Sequence, residues 1–204
     1  DGERSFTTHA TWFNASGLTQ TYYQWMNAAF HGGDGTRYHF PGKNWIGHEG
    51  DAHPWPQEGG HDLANYSEND VPGYLEDHRS MHVLNGDARH FGVWWPQLKA
   101  GAAHFSENGE KYGRKIWMWG LSRQGAIWEG LLTDTDGPYV ELQSGRAFQQ
   151  PHGLCWKTPF KHPSFAPGTT DAFDERWSAV GDRAELEKLG ADEAFEPRPM
   201  TMPD

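Results

Sequence analysis

The chain has 204 residues, of which 36% are apolar, and it is unusually aromatic with 11 Trp, 11 Phe and 7 Tyr. This length suits a single domain with a proper core. A formal net charge of −11 argues against a nucleic-acid backbone or an anionic membrane as the partner. No targeting or transmembrane segment is predicted, so the location of the protein stays open. The single cysteine, Cys155, excludes an internal disulfide.

The elements predicted along the chain are mostly strands. Residues 8–30 read as two strands around a turn at 14–17, since threonines and aromatic residues fill both flanks. Residues 31–76 are rich in Gly, His, Pro and Trp, which predicts long ordered loops with a short strand at 38–40. Long loops on a β scaffold are where binding sites usually lie. Further strands are predicted at 80–84, 91–95, 102–106, 115–120, 138–144 and 174–180.

One helix is predicted near the C-terminus, over residues 182–189. Asp182 can cap it and Glu185 completes a capping box. Residues 126–134, "AIWEGLLTD", fit either a strand or a helical turn. The predicted organisation is a β-sandwich domain over residues 1–181, followed by a short helix and a proline-rich tail or linker over residues 182–204.

The stretch "GPYVELQSGR", residues 137–146, carries the first candidate site. Val140 and Leu142 point to one side of this strand, while Tyr139, Glu141 and Gln143 point to the other. Aromatic rings cover the apolar C–H faces of sugars, and carboxylates and amides pair with sugar hydroxyls. The polar side therefore favours a sugar-binding sheet face. The alternative is an ordinary sheet face on which Glu and Gln are simply solvated.

Tryptophans and charged residues around this strand extend the candidate site. Trp117, Trp119 and Trp128 are close together in sequence and favour stacking platforms for sugar rings, although core packing explains any one of them. Arg146 directly follows a glycine and would clamp a hydroxyl or carboxylate at the end of the groove. Glu141 and Glu129 are the candidate acid/base catalysts.

The stretch "HEGDAH", residues 48–53, contains four side chains that can bind metals. Glycines at 47 and 50 predict a loop, and the histidine spacing differs from that of the zinc-protease helix. His48 and His53 are candidate substrate-binding residues in the wall of a pocket. No cofactor is predicted, and a divalent metal held by His48, Asp51 and His53 is left as the weaker alternative.

Asp134 and Asp136 form a second carboxylate pair, just before Gly137. Carboxylates at this spacing fit a calcium loop or an acid/base pair. They fit an ordinary Asp-Gly turn between elements better. Both residues are therefore catalytic candidates that rank behind Glu141 and Glu129.

Four stretches resemble a known family. They are "YYQWMNAAF", "FPGKNWIGHEGDAHPWP", "KIWMWGLSRQGAIWEGLLTDTDGPYVELQSGRAFQQP" and "TPFKHPSF", and the resemblance covers roughly residues 8–180. The family is a bacterial domain family of unknown function in the galactose-mutarotase-like superfamily, and its members often precede tetratricopeptide repeats. The resemblance implies an all-β fold, an antiparallel β-supersandwich with a carbohydrate site on its concave face.

The sequence departs from the mutarotase pattern at two points. Mutarotases carry a histidine in a strand whose counterpart here begins at Asn27, and their late catalytic glutamate has no clear match in "PFKHPSF". Mutarotation itself is therefore not expected, and Asn27 is retained as a substrate-binding candidate. The chain also begins about where the second half of such a sandwich would begin. A missing N-terminal part or another chain is expected to complete it.

These patterns predict a carbohydrate-active protein. It would bind a sugar or glycan in a concave sheet groove and act at an anomeric or glycosidic centre by carboxylate acid/base catalysis, as a hydrolase, lyase or epimerase-like enzyme. The first alternative is a non-catalytic glycan-binding module attached to a repeat scaffold. The second is a structural sandwich whose aromatic residues only pack. A buried, close carboxylate pair in the groove would favour the enzyme.

Overall fold

Two antiparallel sheets packed face to face form the body of the protein. The computed structural model describes residues 4–70, 78–86, 89–107, 111–119, 121–150 and 164–188. In the first half of this part the strands are β1 Ser5–Phe13, β2 Gln20–Thr21, β3 Trp25–His31, β4 Arg37–His39, β5 Asn44–Ile46, β6 Ala52–Pro54, β7 Gln57–Glu58 and β8 His61–Asp62. The later strands are β9 His78–Leu84, β10 His90–Trp95, β11 Ala100–Ser106, β12 Gly113–Trp119, β13 Tyr139–Gly145, β14 Ser164–Phe165 and β15 Thr170–Val180.

The larger sheet has six strands in the order β3-β13-β12-β9-β5-β6. The other main sheet has five, in the order β1-β15-β11-β10-β4. Two short ribbons, β2 with β14 and β7 with β8, complete the strand pairing in the described part of the chain. The fold is thus an antiparallel β-sandwich, which confirms the predicted all-β class.

The core lies between the two sheets and follows the alternation of the strands. On the six-stranded sheet, alternate residues of the three central strands are fully buried. They are Met81, Val83, Ile116, Met118, Val140 and Leu142. They belong to the same core cluster as Phe91, Val93 and Trp177 of the five-stranded sheet. The residues between them along each strand therefore point to the opposite face of the six-stranded sheet.

A polar cluster is also buried between the sheets. Glu175 accepts hydrogen bonds from His104 Nε2 at 2.9 Å and from the Ser144 hydroxyl, and Lys111 Nζ lies 3.4 Å from its other oxygen. Burial alone would raise the pKa of Glu175, but the hydrogen bonds from His104 and Ser144 hold it below its usual value. A buried carboxylate is tolerated because each of its oxygens has a partner.

The two long strands predicted around the turn at 14–17 are present, but they do not pair with each other. β1 pairs with β15, whereas β3 pairs with β13 in the other sheet. The turn between them is held by Asn14, whose side chain donates to the carbonyls of Leu18 and Phe165 and accepts from Ser16. The Phe165 contact ties this turn to the start of the β14–β15 segment, so the chain crosses from one sheet to the other.

The loop-rich segment after β3 contains short strands, β4 to β8. Its aromatic residues Trp45, Trp55 and Tyr66 are buried, which confirms that they are not left in water. Tyr74 lies outside the described residues. The indole of Trp55 donates to the Phe40 carbonyl, so even the polar atom of this ring is satisfied.

Two helices accompany the sheets in the described residues. The helix α1, Arg123–Leu132, forms where the sequence fitted either a strand or a helical turn, and its first turn is capped by the Ser122 hydroxyl, which accepts from Gly125 N–H. The helix α2, Arg183–Lys188, confirms the predicted C-terminal helix. Its Leu186 is buried in a cluster with Trp94, Ala103 and Val180. No helix of this part of the chain is long and apolar enough to span a membrane.

Candidate functional site

Strand register arranges the outer side chains of the six-stranded sheet in three rows. We call these twelve residues the polar face. The first row is Asn27, Gln143, Lys115 and His82; the second is Ala29, Glu141, Trp117 and Ser80; the third has His31 beside Tyr139 and Trp119 beside His78. The predicted face of β13, with Tyr139, Glu141 and Gln143, is therefore the middle of a wider surface.

Glu141 lies at the centre of the polar face. The Asn27 amide donates to Glu141 Oε2 at 3.0 Å, and the Gln143 amide donates to the same oxygen at 2.8 Å. Burial raises the pKa of Glu141, while Lys115 and the Gln143 hydrogen bond partly offset that rise. The neighbour across the strand pair is Ala29, an exposed residue with only a methyl group. Glu141 is thus a positioned carboxylate with a raised affinity for a proton.

The segment that follows β13 contacts the first row of the polar face. Lys115 Nζ donates to Gln150 Oε1 at 2.6 Å, and Gln150 N–H donates to His82 Nε2 at 3.0 Å. Because His82 Nε2 accepts, its Nδ1 must donate, and it does so to the Ile46 carbonyl at 2.9 Å. Burial lowers the pKa of Lys115 to about 8 and places that of His82 well below its usual value. His82 is therefore neutral.

The two loop histidines have different surroundings. His48 Nδ1 donates to the Gln150 carbonyl at 2.5 Å, and its ring meets the His82 ring edge-on with centroids 5.3 Å apart. Burial and the charge of Lys115 lower the pKa of His48 to about 4, so the ring is neutral at the wall of the polar face. His53 instead stacks on Trp45 and its Nδ1 lies 2.8 Å from Glu58 Oε1.

The described residues contain no group of three or more side chains that could hold a metal ion. The loop candidates His48, Asp51 and His53 are thus not brought together as a metal site. His48 is turned to Gln150 and His53 to Glu58.

Aromatic rings line the second and third rows of the polar face. The Trp117 and Trp119 rings meet edge-on with centroids 4.6 Å apart, and Trp117 is flanked by His78 at 5.9 Å and Tyr139 at 5.8 Å. Trp128 on α1 stacks on Trp119 at 5.8 Å with the ring planes 11° apart. Of the three predicted tryptophans, two belong to the polar face, and the third extends it from the helix.

Three other predicted carboxylates are outside the twelve residues of the polar face. Glu129 is on α1; burial raises its pKa and a hydrogen bond from Tyr66 opposes the rise, and its charge helps to raise the pKa of Tyr139 on the polar face. Asp134 and Asp136 are exposed in the turn after α1, where Asp134 has φ 52° and Asp136 N–H donates to the Thr133 carbonyl. This geometry is that of a turn.

Arg146 also lies away from the polar face. Its guanidinium donates through Nε and Nη2 to both carboxylate oxygens of Asp171, and the group lies 5.0 Å from the Phe173 ring centroid. Both partners belong to β15 of the five-stranded sheet. In this structure Arg146 therefore joins the two sheets.

Lys115, His82 and Gln150 belong to the site but are not among the residues predicted from sequence. A signal existed for the first two, since Lys115 is two residues before Trp117 on β12 and His82 shares the alternation of His78 and Ser80 on β9. No local pattern marks Gln150. It follows the strand in irregular backbone, and its role depends on residues far away in sequence.

The two packed sheets give the domain a galactose-mutarotase-like sandwich fold. Residues 1–180 match the family model described as "Domain of unknown function (DUF5107)", and the chain belongs to this family.

Similar solved structures support the same fold. A TPR-domain containing protein from Parabacteroides distasonis is 22% identical with a TM-score of 0.74, and the match covers 98% of this chain and 32% of that one. A Klebsiella pneumoniae protein described as a candidate aldose 1-epimerase is 14% identical with a TM-score of 0.63, covering 93% and 46%. A galactose mutarotase-like protein from Lactobacillus casei is 11% identical with a TM-score of 0.56, covering 85% and 58%. The chain thus spans between about a third and somewhat over half of these proteins.

Proposed function

We propose that the polar face binds a carbohydrate and that Glu141 acts there as an acid/base group at an anomeric or glycosidic centre. The observation that carries this proposal is the Glu141 carboxylate, which is fixed by two side-chain amides beside a wall of aromatic rings. Galactose-mutarotase-like neighbours support the carbohydrate assignment at the level of fold.

A sugar matches the mixture of groups on this face. Trp117 and Tyr139 offer ring surface to apolar C–H groups, whereas Asn27 and Glu141 offer a donor and acceptors to hydroxyls. Gln143 is buried, and its amide holds Glu141 in place. Planar rings next to hydrogen-bonding side chains are a poor match for a purely apolar ligand. A highly charged anion is also disfavoured, because Glu141 is central.

The chemistry proposed for Glu141 is proton transfer. Both amide hydrogen bonds end on Oε2, so Oε1 is the oxygen that would exchange a proton with the substrate. Burial raises the pKa of Glu141, which brings the group closer to neutral pH and suits an acid/base catalyst. Neutral His48 at the wall of the face is the second group that can accept or pass a proton.

A non-catalytic glycan-binding module is the second candidate. Among the twelve residues of the polar face, Glu141 is the single carboxylate. A glycosidase that uses two carboxylates needs both beside the scissile bond. If no reaction occurs, the same surface would recognise a glycan, as a binding module attached to a repeat scaffold.

The deciding experiment is a screen of the protein against a library of glycans and glycosides. Binding, release of reducing ends and exchange of anomers are measured in parallel. Binding with turnover supports the enzyme, and binding alone supports the module. The absence of binding to any glycan would contradict the proposal.

A further inference from the structure

A further row of the six-stranded sheet lies directly beside the first row of the polar face. In this row Trp25 on β3 is opposite Gly145 on β13, which is opposite Gly113 on β12. Because the two glycines have no side chains, the indole ring of Trp25 lies across them. A Cβ at Gly113 would be 2.7 Å from Trp25 Cη2, and a Cβ at Gly145 would overlap Trp25 Cε3. The glycines therefore provide the space that this ring occupies.

Two aromatic neighbours further restrict the Trp25 ring, which is partly buried. The Tyr23 ring is nearly parallel to it, with planes 6° apart and centroids 6.2 Å apart, and the His82 ring meets it edge-on with centroids 5.8 Å apart. The polar atom of the indole, Nε1, donates to Gln143 Oε1. Packing thus aims this N–H at one oxygen atom of the first row.

Gln143 connects the indole to Glu141. Its side chain is buried, Oε1 accepts from Trp25 Nε1, and Nε2 donates to Glu141 Oε2 at 2.8 Å. An indole N–H can only donate, and an ionised carboxylate can only accept. A reversed amide would place two donors against each other at Trp25 and two acceptors at Glu141. Both neighbours therefore select the same orientation of the Gln143 amide.

This orientation affects which oxygen of Glu141 takes a proton. The Asn27 amide also donates to Oε2, at 3.0 Å, so both amide hydrogen bonds favour charge on that oxygen. Burial raises the pKa of Glu141, and the hydrogen bond from Gln143 opposes the rise because it stabilises the ionised form. A donor that accepts a hydrogen bond at its other end is polarised and becomes stronger. Trp25 therefore strengthens the bond from Gln143 to Glu141.

We propose that Trp25 is a positioning residue for Glu141, which it reaches through Gln143, and that it directs proton exchange to Oε1. Trp25 acts through a chain of two hydrogen bonds, from Nε1 to the Gln143 amide and from that amide to Glu141 Oε2. The role in proton transfer rests on the proposed function, but the effect of Trp25 on the Glu141 carboxyl does not.

Titration of Glu141 by carboxyl ¹³C NMR tests this effect without any substrate. Trp25→Phe keeps an aromatic ring over the glycines and removes the N–H. The pKa of Glu141 should rise, since its donor is weakened, and the Gln143 side-chain amide protons should exchange at least about tenfold faster. Trp12→Phe makes the same chemical change at a tryptophan that is 46% exposed on β1, and it should alter neither quantity. An unchanged pKa of Glu141 in Trp25→Phe would overturn the proposal.

A double-mutant cycle separates positioning from a merely structural role. Gln143→Met keeps the length of the side chain but removes the middle of the hydrogen-bond chain, so it should itself raise the pKa of Glu141. Adding Trp25→Phe should then change this pKa no further, because Trp25 acts through Gln143. Additive effects of the two substitutions would overturn the proposal. If Trp25→Phe does not fold, benzothienylalanine at position 25, with sulfur in place of N–H, takes its place in both experiments.

Kinetics with the best glycan from the screen test the catalytic consequence. In Trp25→Phe the limb of the kcat/KM pH profile that belongs to Glu141 should move to higher pH, in the same direction as the titration. Trp12→Phe should keep the wild-type profile. An unmoved limb in an active Trp25→Phe enzyme would overturn the role of Trp25 in positioning the catalytic group. Absence of turnover in the wild type would count against the proposed function alone, and the titration and the cycle would still decide whether Trp25 acts on Glu141.

Discussion

Glu141 is the residue on which the proposed chemistry depends. Glu141→Gln keeps the shape of the side chain and an oxygen that can accept from Asn27 and Gln143, so the fold should be retained. Because the variant cannot exchange a proton, turnover should fall by about 10²–10⁴-fold, while sugar affinity changes little. Steady-state kinetics and calorimetric titration with the best glycan from the screen measure the two effects.

Asp134→Asn is the control for this change of charge. Asp134 is exposed in the turn after α1, and asparagine tolerates its φ of 52°. Activity should therefore stay at the wild-type level. If Asp134→Asn lost as much turnover as Glu141→Gln, acid/base chemistry would have to be assigned elsewhere.

Trp117 is the residue on which the proposed sugar binding depends most. Its ring lies between His78 and Tyr139 and beside Glu141 in the strand register. Trp117→Ala should weaken glycan binding by about 1–3 kcal/mol through lost ring contact. Titration calorimetry measures this, and Trp12→Ala on β1 of the five-stranded sheet serves as the control that should leave glycan affinity unchanged. Equal losses in the two variants would argue against an aromatic platform.

Lys115 gives the stability of the protein a defined pH dependence. Its folded pKa of about 8 is lower than the value of a lysine in the unfolded chain, so the unfolded state binds more protons above pH 8. The penalty for burying the charge is therefore present at pH 7 and is relieved as the pH rises. From pH 7 to pH 9 this group should add about 1 kcal/mol to the free energy of unfolding.

Urea denaturation at the two pH values checks this prediction. Lys115→Met should lose the increment, whereas Lys111, whose pKa burial also lowers to about 8, contributes to both proteins and cancels in the comparison. Lys43→Met, at an exposed position, is the control and should behave as the wild type. An unchanged pH dependence in Lys115→Met would contradict a charged, buried Lys115.

At the scale of elements, helix α2 depends on a glycine in the sheet beneath it. A Cβ at Gly92 would lie 2.4 Å from the Ala102 carbonyl oxygen and 2.6 Å from Leu186 Cδ1. The backbone oxygen cannot move aside, so Gly92→Ala should destabilise the protein by about 1–3 kcal/mol and loosen α2. Thermal denaturation checks the first effect and hydrogen exchange of α2 the second. Gly17→Ala, where a Cβ meets nothing within 4 Å, should be nearly neutral.

The central strands could be predicted from sequence because their signal is local. On β12 and β13, alternation alone separates Ile116 and Leu142 from Trp117 and Glu141, and the structure confirms both strands. The contact that a side chain makes is harder to predict when its partner is distant in sequence. Nothing near Arg146 indicates that Asp171 will bind it.

Other features were missed because tertiary contacts decide them. The turn after β1 looks like that of a hairpin, but the Asn14 contact with Phe165 directs the chain into the other sheet. Residues 126–134 have weak preferences, and the Ser122 cap together with stacking of Trp128 on Trp119 favours a helix there. Gln150 joins the site only because His48, Lys115 and His82 surround it.

At the scale of the whole molecule, the edge strands β1 and β3 of the two described sheets should govern how the chain behaves in solution. Neither strand contains Lys, Arg, Asp, Glu or Pro, and such edges favour pairing between copies, so the 204-residue chain should be poorly soluble or self-associate as its concentration rises. Sedimentation over a concentration series measures this. Ala29→Pro removes one outward N–H from the edge of β3 and should reduce the association. A stable monomer at all concentrations, with a sharp thermal transition, would contradict the prediction.

The alternation of β13 has a consequence for how this family can diversify. Val140 and Leu142 are constrained by packing in the core, whereas Tyr139, Glu141 and Gln143 are on the outer face of the sheet. Neighbouring positions along the strand therefore lie on opposite faces. Substitutions at odd-numbered positions of this strand can therefore change which ligand the outer face binds. They leave the core packing of the even-numbered positions unchanged. An insertion or deletion of one residue would exchange the two sets at once. Lineages that acquire new ligands should then differ in this strand by substitution, with its length held constant.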